Sequence, residues 1–99
     1  MVKNINFQEF CDEFKRMDRN NQFSYEGKKA LFDYLEQYEE DTNEPIELDI
    51  IALCCNYTEF ENFKELQGNY NQIKSMEDLE NNTTVILIEN SEKFIIQNF

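Results

Sequence analysis

Apolar residues recur at helical spacing through the first third of the chain. Phe7, Phe10, Cys11, Phe14 and Met17 fall at i, i+3, i+4, i+7 and i+10, one face of a helix. Asn6, followed three residues later by Glu9, supplies a capping pair for its start. Arg19-Asn20-Asn21-Gln22 breaks the pattern. Ser24 can then cap a second helix, on which Tyr25, Leu31, Tyr34, Leu35 and Tyr38 share a face and which runs to about Asp41. Thr42 to Pro45 reads as a turn, because Asn43 favours turn geometry and Pro45 biases Glu44 away from helix.

Beyond the turn the period shortens. Ile46, Leu48 and Ile50 alternate with Glu47 and Asp49, and Ile50 to Cys55 is apolar throughout, which predicts a strand passing from a sheet edge into a covered interior. Leu48, Ile51, Ala52 and Cys55 also satisfy helical spacing; the β-branched residues and the short run favour the strand. Thr58 with Glu61 has the spacing of a capping box and predicts a third helix that buries Phe60, Phe63 and Leu66 or Tyr70 and ends at Gly68 and Asn69. Ser75 with Asp78 predicts a short helical turn around Met76 to Glu80. Thr83 to Ile88 and Lys93 to Gln97, joined through Asn90 and Ser91, read as a β-hairpin.

These elements describe one small α+β domain spanning residues 1–99. The expected core is a three-stranded antiparallel sheet, the first strand plus the C-terminal hairpin, packed against two long N-terminal helices and a shorter third helix. Nine Phe and five Tyr among 99 residues argue against disorder, since each buried ring removes roughly 150–250 Å² from water. Two Gly and one Pro leave no room for a flexible linker. No apolar run approaches the ~20 residues needed to cross a bilayer, and Met1 to Asn6 lacks the basic and apolar regions of a leader. A cytoplasmic protein is expected.

Charge changes the picture. The chain holds 21 Asp and Glu against 9 Lys and Arg, a net charge of −12. The excess is segregated: residues 1–30 carry five acids and six bases, residues 31–99 sixteen acids and three bases. From Leu31 to Phe63 there are ten acids and no base. Such a field repels nucleic acid, so direct binding to phosphates is disfavoured. It also weakens the compact state through self-repulsion, unless a cationic partner offsets it.

Little catalytic chemistry is available. The absence of histidine removes the usual general base, the commonest metal ligand and every Ser-His or Cys-His nucleophile. Cys11 falls on a core face, and Cys54-Cys55 would point to opposite sides of the expected strand; neither matches C-x-x-C spacing. Asp18 and Asn20 stand where a calcium loop has its first ligands, but Phe23 replaces the sixth-position Gly and Lys29 the twelfth-position Glu. No enzyme, metal or cofactor is expected.

The acids themselves are the candidate site. Asp33, Glu36 and Glu40 recur on the outer face of the second helix, where residues three or four apart lie about 5–6 Å from each other. Asp41, Glu44 and Glu47 would extend the row past the turn, with Glu39 beside it and Tyr38 available to pack against a partner. Duplex DNA presents one charge per ~1.7 Å of axis, so a surface built to grip nucleic acid could grip this row instead.

The runs FSYEGKKALFDYLE (23–36), IELDIIALCCNYTEF (46–60) and FIIQNF (94–99) resemble a group of small acidic proteins of bacterial phages and mobile elements. The resemblance covers nearly the whole chain and carries no catalytic or binding residue with it. Its setting is similar to that of antirestriction and anti-CRISPR proteins. The group has no established activity; by this analogy of size, charge and setting, added to the acidic row, a non-enzymatic inhibitor that occupies the DNA- or guide-binding surface of a host defence nuclease, RNA-guided or restriction, in the bacterial cytoplasm is expected. A phage or plasmid interaction adaptor that binds without charge mimicry is the rival expectation, and an open sheet edge would permit a homodimer.

Overall fold

The computed structural model describes residues 5–99. Most of the segment Met1 to Asn6, on which the leader argument rests, therefore lies outside the described residues. Helix α1 (Phe7–Arg16) starts from the expected capping box: the Glu9 N–H donates to Asn6 Oδ1 at 2.8 Å and the Asn6 N–H to Glu9 Oε1 at 3.2 Å. Lys15 and Arg16 occupy its last turn, where cations oppose the helix dipole. Asp18 closes it in left-handed geometry, φ 58°. Helix α2 (Tyr25–Thr42) begins at Ser24, whose Oγ accepts from the Gly27 N–H at 3.0 Å, and ends at Asn43, φ 56°. Asparagine tolerates that region better than most residues with a Cβ, so the turn falls there.

The next stretch departs from expectation. Residues 46–49 belong to no ladder, and Ile50–Asn56 is a helix, α3. Asp49 decides this locally, its carboxylate accepting from the Ala52 N–H at 3.0 Å as an N-cap. Ile50, Leu53 and Cys54 then turn inward while Ile51 and Cys55 face out, so a helical period prevails over the alternating one, but on a different face from the Leu48, Ile51, Ala52 and Cys55 set. The first strand is β1 (Tyr57–Phe60), where a capping box was expected. Thr58 caps nothing; its hydroxyl meets Asn98 Oδ1 at 2.7 Å. Asn98 fastens the α3–β1 junction as well, through Nδ2 to the Cys55 carbonyl at 2.9 Å and its N–H to the Asn56 carbonyl at 2.7 Å.

Helix α4 (Phe63–Asn69) is capped by Asn62, with the Glu65 N–H donating at 2.9 Å, and ends at the expected Asn69. Helix α5 (Met76–Asn82) is capped by Ser75 as expected and runs two residues beyond the anticipated turn. The hairpin forms as β2 (Val85–Leu87) and β3 (Phe94–Gln97), with Asn90 at φ 59° in the connection.

The sheet is antiparallel in the order β1-β3-β2, with Tyr57 opposite Gln97, Phe60 opposite Phe94 and Ile86 opposite Ile95. Its central strand is buried at three successive positions, Phe94, Ile95 and Ile96. Burial on both faces requires helices on both sides. Ile95 joins Phe10, Phe14, Leu31, Leu35 and Ile50 beneath α1, α2 and α3, while Phe94 and Ile96 join Phe60, Leu66 and Leu79 beneath α4 and α5. The class is α+β, as expected, but the shorter C-terminal helices cover the face opposite α1 and α2. Each fully buried Phe, Leu or Ile contributes about 1.5–3 kcal/mol. Among the described residues no helix is long and apolar enough to cross a membrane.

Candidate protein-binding site

Helix α2 borders a cavity on each of two sides. On its outer side Asp33, Glu36, Glu39, Glu40 and Glu44 gather around one open concavity of about 700 Å³, completed by Gln37, Asn43 and Pro45. Among the described residues no Lys or Arg lines it. The left-handed turn at Asn43 lets Glu44 rejoin the acids of the helix, so the row survives the helix end by one residue. Five of the seven expected carboxylates are thus brought together.

They are not equivalent. Glu39 closes the turn, accepting from the Ile46 N–H at 2.6 Å. Burial pushes its carboxyl up, hydrogen bonding and positive charge work against that, the Ile46 amide contributing only a part, and the group ends below the ordinary glutamate range. Asp33 pairs with Lys29 at 3.1 Å, an exposed i,i+4 bridge of about 0.3–0.5 kcal/mol. Glu40 and Glu44 are exposed. Asp41 stands outside the concavity, accepting from Gln37 Nε2 at 2.9 Å. Glu47 leaves the row altogether, because the chain has turned across α2 before reaching it.

Glu47 lines a second cavity, of about 470 Å³, on the inner side of α2. Tyr34 and Tyr38 from α2, Ile46 and Leu48 from the irregular segment, Ala52 and Leu53 from α3 and Tyr57 from β1 form its walls, with Asp49 beside Glu47. The Tyr34 and Tyr38 rings lie 6.5 Å apart at an interplanar angle of 36°. Burial pushes the Tyr57 phenol above its ordinary value, and the Tyr34 and Tyr38 phenols add to the shift, which places all three near one another. Tyr38, expected to stand beside the acidic row, belongs to this groove instead. The groove escaped the sequence reading because a strand through residues 46–55 puts Ala52 and Leu53 on opposite faces, whereas both line the groove from α3; the Asp49 cap was the signal that could have revealed it.

The thiols carry no constellation. Cys11 is buried, Cys54 half-buried and Cys55 exposed, the vicinal pair standing on a helix and not across a strand. Comparison of the chain with protein-family models, with curated proteins and with solved structures finds no match.

Proposed function

We propose that this protein is a non-enzymatic inhibitor of a bacterial defence nuclease, of antirestriction or anti-CRISPR type, and that it acts in the host cytoplasm as a nucleic-acid mimic. One observation carries the reading: Asp33, Glu36, Glu39, Glu40 and Glu44 surround a single concavity that no Lys or Arg lines among the described residues. A helix and its terminal turn hold these carboxylates in register, so a basic DNA- or guide-binding surface meets them without having to order them first. Binding is then steered over distance, fast at low salt and lost as salt rises.

The test uses plasmid cleavage by purified RNA-guided and restriction nucleases, with the chain added in a series from ~50 to ~300 mM salt. Inhibition that falls with salt and disappears in the Glu40→Lys/Glu44→Lys variant supports the reading. Inhibition indifferent to both sinks charge mimicry.

A second reading, an interaction adaptor, has its own observation. Strand β2 is a sheet edge and Leu87 on it is 65% exposed. Affinity for a partner that stays constant over the same salt series and falls in Leu87→Lys favours the adaptor.

A further inference from the structure

We propose that the tyrosine-lined groove between α2, residues 46–49 and α3 receives an arginine side chain from a basic partner protein. That the partner is basic rests on the function proposed above; the chemistry of the groove does not. The cavity of about 470 Å³ is within the range of sites that enclose a small organic group. Tyr34, Tyr38 and Tyr57 line it, and their hydroxyls make no hydrogen bond among the described residues. Three phenolic oxygens are therefore available as acceptors for guanidinium N–H groups.

Charge and aromaticity select the same occupant. Glu47 and Asp49 line the groove and, among the described residues, no Lys or Arg does, so the charged groups a cation meets there are carboxylates. Asp49 spends one oxygen on the Ala52 N–H, while Glu47 makes no ion pair among the described residues. Cations are attracted to tyrosine faces, and the planar guanidinium stacks on them where a compact, strongly hydrated ammonium does not. Ile46, Leu48 and Leu53 supply an apolar wall for the methylene stem. An arginine uses every part of this lining; a neutral apolar side chain leaves the carboxylates and hydroxyls unpaired.

The experiment titrates the isotopically labelled chain at low salt with acetyl-Gly-Arg-Gly amide, and in parallel with its citrulline and lysine counterparts, following tyrosine ring and Ala52 methyl resonances. The expected result is saturable movement of Tyr34, Tyr38, Tyr57 and Ala52 signals with the arginine peptide, at least about threefold weaker with lysine and weaker still with neutral citrulline. Tyr38→Ala and Glu47→Gln, both at exposed positions, each weaken it by about three- to tenfold while the rest of the spectrum is unchanged. Glu40→Lys/Glu44→Lys leaves the groove response in place. The proposal is overturned if the groove signals stay still, if citrulline or lysine binds as well as arginine, or if the shifts follow the acids around Glu40. Groove failure with salt-sensitive nuclease inhibition intact leaves charge mimicry standing; the reverse outcome removes mimicry alone.

Discussion

The carboxylate of Glu59 rests against the Cα of Gly27, so close that a Cβ on Gly27 would collide with Oε1. Glu59 stands on the edge strand β1, yet its Oε1 accepts from the Ser24 N–H at 3.0 Å and the Ser24 hydroxyl at 3.1 Å. The start of the helix that carries the acidic face is thereby tied to the sheet across 35 residues of sequence.

Gly27→Ala therefore has a sign that depends on Glu59. Alanine at a helical position is worth about 1 kcal/mol over glycine. Here it displaces a carboxylate that accepts two hydrogen bonds, and each bond to a charged group is worth about 1.5–3 kcal/mol. The single variant should be destabilised by about 1 kcal/mol or more. In a Glu59→Ala background the same change should stabilise, because the carboxylate is gone and the close neighbour left is the Ser24 hydroxyl, 3.1 Å from the new Cβ, which has to give by only a few tenths of an ångström. A double-mutant cycle by chemical denaturation measures the reversal.

Which parts of this arrangement were legible in the sequence follows from how local their causes are. The Asn6/Glu9 box, Ser24, Ser75 and the hairpin all act within a few residues, and each lies where the pattern places it. The stretch 46–60 does not work that way. Asp49 and Thr58 are both competent caps; Asp49 caps because Ile50 and Leu53 find the core, whereas Thr58 is drawn into the sheet by β3 and by Asn98 just beyond it, 40 residues away. The acidic concavity was readable because it lies on one helix face. The tyrosine groove was not, since α2, residues 46–49, α3 and β1 meet there and only α2 has the structure its pattern predicts.

Asp49→Ala should cost about 1 kcal/mol, the ordinary loss for an N-cap. The effect should be confined to α3: amide exchange at Ala52 and Leu53 accelerates, while exchange in α5 is unaffected. Equal acceleration in both helices would mean that Asp49 supports the fold in some way other than capping.

Glu39 gives stability a defined pH dependence. Its folded pKa lies below the ordinary value of about 4.3, so the ionised carboxylate stabilises the native state above that value. The contribution is lost as pH falls through the lower, folded one. Glu39→Gln keeps an acceptor for the Ile46 N–H and removes the charge. The variant should be less stable than the wild type by about 0.5–1 kcal/mol at pH 7, the side chain being largely solvated. The gap should close towards pH 3. A gap that persists there would show that shape, and not charge, distinguishes the two side chains.

A net charge of −12 sets the response to salt. Screening length shrinks from about 30 Å at 0.01 M to about 8 Å at 0.15 M, so repulsion among exposed carboxylates weakens over that range. The melting temperature should rise as salt increases. Glu40→Lys/Glu44→Lys should melt higher than the wild type at low salt and show a smaller salt increment. A wild-type melting temperature that falls with salt would mean that exposed pairs such as Lys29–Asp33 outweigh the repulsion.

Thiol reactivity reports the helix at residues 50–56. The thiolate is the reacting species, so both access and pKa govern the rate. Burial pushes the Cys11 and Cys54 thiols above their ordinary value, and Cys11 lies within the core. Cys55 faces out from α3. Iodoacetamide at pH 8 should label Cys55 first, Cys54 more slowly and Cys11 only on unfolding, as read by peptide mass mapping over time. Raising the pH should accelerate Cys54 before global unfolding exposes Cys11. A strand through the same residues puts Cys54 and Cys55 on opposite faces of a sheet, one covered and one open. Were Cys54 as inert as Cys11 in the folded state, that alternating geometry would describe the segment better than the helix.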